Sequence, residues 1–408
     1  MILLSHPTGN TFFRAAARAF YSAGMLREMH SSICWDQRSL ISQFLPQQIA
    51  RQLTRRSFAD VPLHLQYSHP FNEIFRLVSS ELHLSWLTRH EVGLFSVDAV
   101  YRSFDQQIAG RLSSLDGVRA VYCYEDCALS TFKVASTLGC RRIYDLPIGY
   151  WRSAQKIYSE ERELKPDWSC TLTGLTDSPV KLARKDEELQ LADLVIVPSH
   201  FVHSTLLSHH AILPPIVVIP FGSPPPRCDI PQRRPAGPLR VLYVGSLGQR
   251  KGLSYALDAV EMLGSQVSLT LIGRITSREC RPLMTAIDRH RWIETLPHHL
   301  ILEQMREHDV LLLPSLFEGY ALVISEALSQ GLPVITTSNS GGSTVIRNGL
   351  EGFIVPIRDS KSIAVRLQQL VDNPDLHATM RLCCMNRAQE LSWVGYEQGL
   401  VSNISTII

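Results

Sequence analysis

A chain of 408 residues, 45% hydrophobic and 19% charged, can bury the cores of two ordinary globular domains. A formal net charge of +2 argues against a nucleic-acid coat and leaves room for a small anionic ligand. Nine cysteines without metal-ligand spacing read as reduced thiols in the cytoplasm, and no apolar run approaches the ~18 residues of a membrane span.

In chain order, MILL opens a first β-strand over residues 2–4 and lacks the basic flank of a signal peptide. It runs into SHPTGN, residues 5–10, where Gly9 permits a tight turn and Asn10 or Thr11 can cap the next helix. The pattern predicts further strands at 29–34, 118–124, 142–146, 194–197 and 216–219, with helices at 13–23, 130–138 and 178–192. Helical patterns over 70–113 look like an insertion. Arg51, Arg55 and Arg56 would give one helix a basic face, either solvated or suited to an anionic or lipid-linked acceptor at a membrane surface. Two strand ends carry acids: Glu125 and Asp126 after Tyr124, and Asp145 after Tyr144. Acids that open a helix are ordinary dipole partners; the functional alternative is that one of them faces a substrate.

The composition then shifts. Residues 220–238 hold seven prolines in nineteen positions, which reads as a linker. A second strand–helix series starts at residue 239, with strands at 239–245, 267–273, 309–315 and 333–337, a weaker one near 291–296, and helices at 252–263, 276–289, 300–307, 321–330 and from 360 onward. Such alternation implies a parallel sheet in each half, with a ligand cleft between the strand ends. YVGSLGQRKG, residues 243–252, follows the first strand of this half. Gly245 makes it permissive, and Arg250 and Lys251 offer charge to a phosphate. A glycine-rich structural turn would look the same.

The densest signal is PSLFEGYALVISEALSQGLPVI, residues 314–335. A strand ends, Glu318 and Gly319 follow, and a helix begins that carries Glu326, seven residues lie between the two acids. A helix N-terminus behind a strand end suits an anion. Two carboxylates beside it suit a ligand that also presents hydroxyls, and a nucleotide-sugar has both. The alternative is a capping acid and a solvated helix face.

Together these segments resemble the retaining glycosyltransferases of the GT-B fold, family 4, over nearly the whole chain. The resemblance rests on Glu318 through Glu326, on the Lys251 loop, and on ELQLADLVIVPSHFVHSTL at 188–206. It implies two Rossmann-like α/β domains facing across a cleft: an acceptor domain over 1–219, a hinge over 220–238, a donor domain over 239–390, and a final helix over 391–408 packing back on the first domain. By the same resemblance, Glu326 holds the donor ribose and Glu318 sits near the transferred sugar. Gly9, Gly245, Ser246, Arg250, Lys251 and the backbone of Gly319, Tyr320, Ala321 and Leu322 surround the diphosphate. The chain departs from the family with Ser246 where many members have Arg, Tyr124 where many have His, and Tyr320 in place of Phe. Glu125, Asp126 or Asp145 would then serve the acceptor.

The expected activity is transfer of a glycosyl group, with retention, from a UDP- or GDP-type donor to a hydroxyl acceptor (a glycan, a lipid-linked sugar or a small molecule). No D-x-D occurs, so no metal and no cofactor are expected. The protein would be cytoplasmic, with peripheral contact at the inner membrane face. The alternatives are a nucleotide-sugar-binding protein without turnover and a GT-B-type epimerase or phosphorylase.

Overall fold

The computed structural model describes residues 1–36, 53, 56–172, 174, 176–209, 212–229 and 237–408. Two wholly parallel sheets organise them. The first contains β1 (Ile2–Ser5), β2 (Leu26–Ser31), β3 (Gln66–Ser68), β4 (Ala120–Tyr124), β5 (Arg141–Asp145), β6 (Leu194–Val197) and β7 (Ile216–Val218), in the spatial order β3-β2-β1-β4-β5-β6-β7. The second contains β8 (Leu239–Val244), β9 (Val267–Ile272), β10 (Arg291–Ile293), β11 (Val310–Leu313), β12 (Val334–Thr337) and β13 (Gly352–Val355), in the order β10-β9-β8-β11-β12-β13. Runs such as LVIV in β6 and VLLL in β11 are buried throughout, as strands must be when helices cover both faces of a sheet. Among the described residues no helix is long and apolar enough to cross a membrane.

The strand order reverses between β1 and β4 in one sheet and between β8 and β11 in the other. Loops leaving the carboxyl ends of neighbouring strands diverge at such a point and open a crevice. The two loops of the second sheet are the Gly245–Gly252 turn and the segment that carries Glu318.

Three differences from the sequence reading have physical causes. Expected over 29–34, β2 runs instead from Leu26 to Ser31, because its charged residue is accommodated: buried Glu28 accepts from Arg111 at 2.6 Å and contacts His30 at 3.0 Å. The edge strands β3 and β13 were not foreseen, since QYS has no apolar run and GFIV opens on a glycine. The helix expected over 276–289 begins at Arg281, with Pro282 in its first turn. Arg51 and Arg55 lie outside the described residues. Arg56 donates to buried Glu73 at 2.7 Å, so its charge is already matched.

Contacts between the lobes are polar and specific. Glu161, on the helix Trp151–Leu164, is fully buried and accepts from Gln249 at 2.6 Å, Tyr255 at 2.9 Å and Arg358 at 2.7 Å, all from the second lobe. Behind the seam, the helix Trp393–Ser405 buries Tyr396, Leu400 and Ile404 and lies along the helix Thr11–Ser22, where Arg18 donates to Glu397 at 2.9 Å. The first residues of the proline-rich connection are pinned as well. Phe221 stacks on Phe12 with centroids 4.7 Å apart, and the Ser223 hydroxyl donates to the Ser325 carbonyl at 2.9 Å.

Replacing Glu161 with alanine removes the buried acceptor shared by Gln249, Tyr255 and Arg358, and leaves Arg358 to Glu160 and the Ile157 carbonyl. Unfolding in urea is expected to show a loss of about 3–5 kcal/mol, the cost of breaking a buried charged pair from one side. A loss below about 1 kcal/mol, the range of an exposed pair, would mean that water satisfies the seam.

Candidate active site

The site grows from β11. Past its last residue the chain turns through Pro314 and Ser315, and the Leu316 amide donates to the Arg250 carbonyl at 2.9 Å. That bond ties the two diverging loops of the second sheet together. It sets the Glu318 carboxylate against both cations of the other loop: one oxygen lies 2.7 Å from Arg250 Nη1 and 2.7 Å from Lys251 Nζ. Burial alone would raise the Glu318 pKa. Lys251 and Arg250 outweigh it, and the group is held below the usual carboxylate range. Gly245, at φ +142°, leaves space for the lysine stem, since a Cβ there would sit 2.8 Å from Lys251 Cδ.

Gly319 sits where the two lobes meet. The close approach it allows is to the other lobe: a Cβ would overlap the Pro147 carbonyl oxygen, and the Ser199 hydroxyl donates to the Gly319 carbonyl at 2.6 Å. Tyr320 turns away from the cleft toward the hinge, and its hydroxyl donates to the Phe221 carbonyl at 2.9 Å. The Ala321 amide is spent on the Ser340 carbonyl at 3.0 Å. Leu322 and Val323 open the helix Leu322–Ser329, where amides have no intrahelical acceptor. Glu326, one turn on, pairs with His298 Nε2 at 3.0 Å, and that bond raises the His298 pKa. His298 was missed in the sequence; the signal is its place just after Pro297, at the start of a helix that follows a strand.

Across the seam lies a cavity of about 270 Å³. Glu125, Trp151, Tyr158 and Lys185 line it from the first lobe, Arg250 and Phe317 from the second. Burial, chiefly, raises the Glu125 pKa, with Asp126 adding to it and Lys185, 3.3 Å away, opposing it. A larger hollow of about 980 Å³ lies beside the opposite ends of β8 and β9, against Arg240, Val267 and Ser268. It is remote from the strand ends where ligands bind in such sheets.

Not every candidate reaches the cleft. Asp145 does not: it is 1% exposed and accepts from the Tyr122 hydroxyl at 2.5 Å. The parallel register pairs Tyr124 with Asp145 and turns both toward the core. Burial pushes the Asp145 pKa up to about 7 against the pull of the tyrosine hydroxyls. Asp126 is occupied by Lys185 at 3.3 Å, and Ser246 gives its carbonyl to Tyr243 at 3.3 Å. Gly9, at φ +64°, donates its amide to His6 Nδ1 at 3.2 Å. His6 is buried edge-on against Tyr124 at 4.5 Å, and desolvation drops its pKa to about 3. It organises the first loop as a neutral ring, a role the sequence did not disclose.

The second half of the chain has known counterparts. Residues 229–382 match the family model of glycosyl transferases group 1. A glycogen synthase of Mycobacterium tuberculosis is 30% identical over 169 residues, 39% of this chain and 40% of that protein, so the chain spans less than half the length of that curated relative. Among solved structures, the sucrose-phosphate synthase of Thermosynechococcus elongatus superposes with a TM-score of 0.70 at 17% identity, covering 100% of this chain and 98% of that one. Anabaena HepE, solved with UDP and glucose, superposes at 0.61 with 14% identity, covering 100% and 99%. The fold is GT-B, two Rossmann-like domains across a cleft.

The buried acid behind the seam makes a pH-dependent prediction. Folded Asp145 keeps a proton up to about pH 7 that the unfolded chain releases near pH 4. Its contribution to stability is therefore full below pH ~4 and is lost as the pH rises to ~7. Thermal unfolding of Asp145→Asn should gain on the wild type between pH 4 and pH 8. A constant difference across that range would show that Asp145 is ionised in the folded protein.

Proposed function

We propose that this protein transfers a glycosyl group from a nucleotide-diphospho-sugar to a hydroxyl acceptor, with retention at the anomeric carbon and without metal or cofactor, as a family 4 member. The observation that carries the reading is the Glu318 carboxylate held between Lys251 and Arg250, the latter lining the interlobe cavity. In this reading the two cations, with the helix that begins four residues after Glu318, face a leaving diphosphate as it gains charge. Preorganised donors of this kind are the largest single source of rate in such reactions.

In this reading Lys251, Arg250 and the amides of Leu322 and Val323 receive the diphosphate. Displaced from its cations, Glu318 turns to the hydroxyls of the transferred sugar. Glu326 takes the ribose, with His298 orienting it. Gly9, Gly245 and Ser246 border the phosphates. Trp151, Tyr158 and Phe317 give the acceptor apolar faces to rest on, and Glu125, with its raised pKa, is the group poised near the acceptor hydroxyl. UDP is the favoured nucleotide, since HepE was solved with UDP and glucose. The acceptor is a glycan, a lipid-linked sugar or a small molecule.

Lys251→Ala should lower kcat by about 10²–10³, as losing one charge-stabilising donor does, and should abolish the rise in melting temperature that UDP, GDP or ADP gives the wild type. Turnover that needs an added divalent cation, or a variant as active as the wild type, would overturn the assignment.

A further inference from the structure

Two cysteines meet across the lobe seam. The short 3₁₀ helix Pro166–Thr171 follows the helix Trp151–Leu164 and belongs to the first lobe. It rests on the second: the Lys165 ammonium donates to Asp258 at 3.0 Å, and the Thr171 hydroxyl accepts from the Gln249 amide at 3.0 Å. Cys280, 0% exposed, stands just before the second-lobe helix Arg281–Arg289, and its thiol donates to the Asp167 carbonyl at 3.4 Å. In a 3₁₀ helix each carbonyl points at the residue three places on. The acceptor of the Cys280 thiol is therefore the carbonyl aimed at Cys170, and the two thiols are themselves in side-chain contact. Cys170 is exposed, and both sulfurs are free thiols.

Their unequal burial sets an order of events. A small disulfide such as oxidised glutathione can reach Cys170 and not Cys280. The Cys170 thiolate attacks one of its sulfurs, the small S–S bond breaks, and one small thiol leaves. The Cys280 sulfur, as its thiolate, then attacks the Cys170 sulfur and expels the second small thiol, which carries off the Cys280 proton. Two protein thiols are oxidised and one small disulfide is reduced, so no other oxidant is needed. Burial, chiefly, pushes the Cys280 pKa up to about 11, while the Leu283 amide in the first turn of the helix opposes it. A thiol held this way resists reagents in bulk water and meets only a sulfur already at its side. Cys123 and Cys127 also lie close together, but both are buried, so neither offers that entry.

We infer that Cys170 and Cys280 form a reversible disulfide by exchange with low-molecular-weight disulfides, and that the bond fastens the first lobe to the second beside the Lys251 loop. The link to that loop is Thr171, next to Cys170, which holds Gln249 two residues before Lys251. This goes beyond the transferase reading and does not need it to be right.

The test is equilibration of the full chain in glutathione buffers of increasing oxidised fraction, beside Cys170→Ser. Remaining thiols are alkylated in denaturant, linked peptides are mapped by mass spectrometry, and parallel samples are melted. Cys170 is exposed, so the reduced variant should melt with the reduced wild type. The expected result is a linked Cys170–Cys280 peptide in the oxidised wild type, cleared by dithiothreitol, and a melting temperature about 5 °C above the reduced form, because the bond closes a long loop. The variant should show neither. Cys170 carrying glutathione while Cys280 is still alkylated overturns the proposal. So does a bond from Cys170 to another cysteine or to a second copy, or a linked peptide that leaves the melting temperature unchanged.

Discussion

The arrangement depends on a carboxylate that cannot satisfy itself. Glu318 is largely removed from water, and a buried charge must find partners or lose its ionisation. Here it finds two, and both come from the neighbouring loop. The loop after β8 and the loop after β11 are therefore locked in register at the one place in the second sheet where the strand order turns. With the cations committed to Glu318, their charge is matched within the protein. Under the proposed function, an arriving diphosphate would exchange places with the carboxylate and so deliver the acid to the sugar.

The same segment is also the seam. Gly319 is pressed against Pro147 and Ser199 of the first lobe, Tyr320 reaches the hinge at Phe221, and Phe317 closes the cavity against Tyr158. A shift of one lobe relative to the other would therefore be felt at Glu318 within a residue or two. Glu161 and the returning helix Trp393–Ser405 hold that geometry from farther out. This proximity gives an elementary route by which lobe closure and charge exchange could be coupled.

What the sequence disclosed follows from the kind of signal each element carries. Apolar strands of four or more residues between helical patterns were readable, because burial on both faces writes a continuous hydrophobic run, as in VLLL and LVIV. The Glu318 to Glu326 run and the Lys251 loop were readable because a charge pattern sits at strand ends. The edge strands β3 and β13 did not register because QYS has no apolar run and GFIV opens on a glycine. The start of β2 was hidden because Glu28 looks like a surface residue until Arg111 and His30 appear beside it in space. Asp145 looked like a cleft residue because sequence places it at a strand end but does not say toward which face it points; the pairing with β4 decides that. His6 and His298 left almost no signal, since each matters through a partner that only the fold supplies.

The most direct test of the account is calorimetric titration of UDP into the wild type and into Glu318→Gln. If the carboxylate and the diphosphate compete for Arg250 and Lys251, removing the negative charge should tighten UDP binding by about fivefold, a gain near 1 kcal/mol, while the side chain keeps its shape. Equal or weaker binding in the variant would mean that the diphosphate does not meet these two cations.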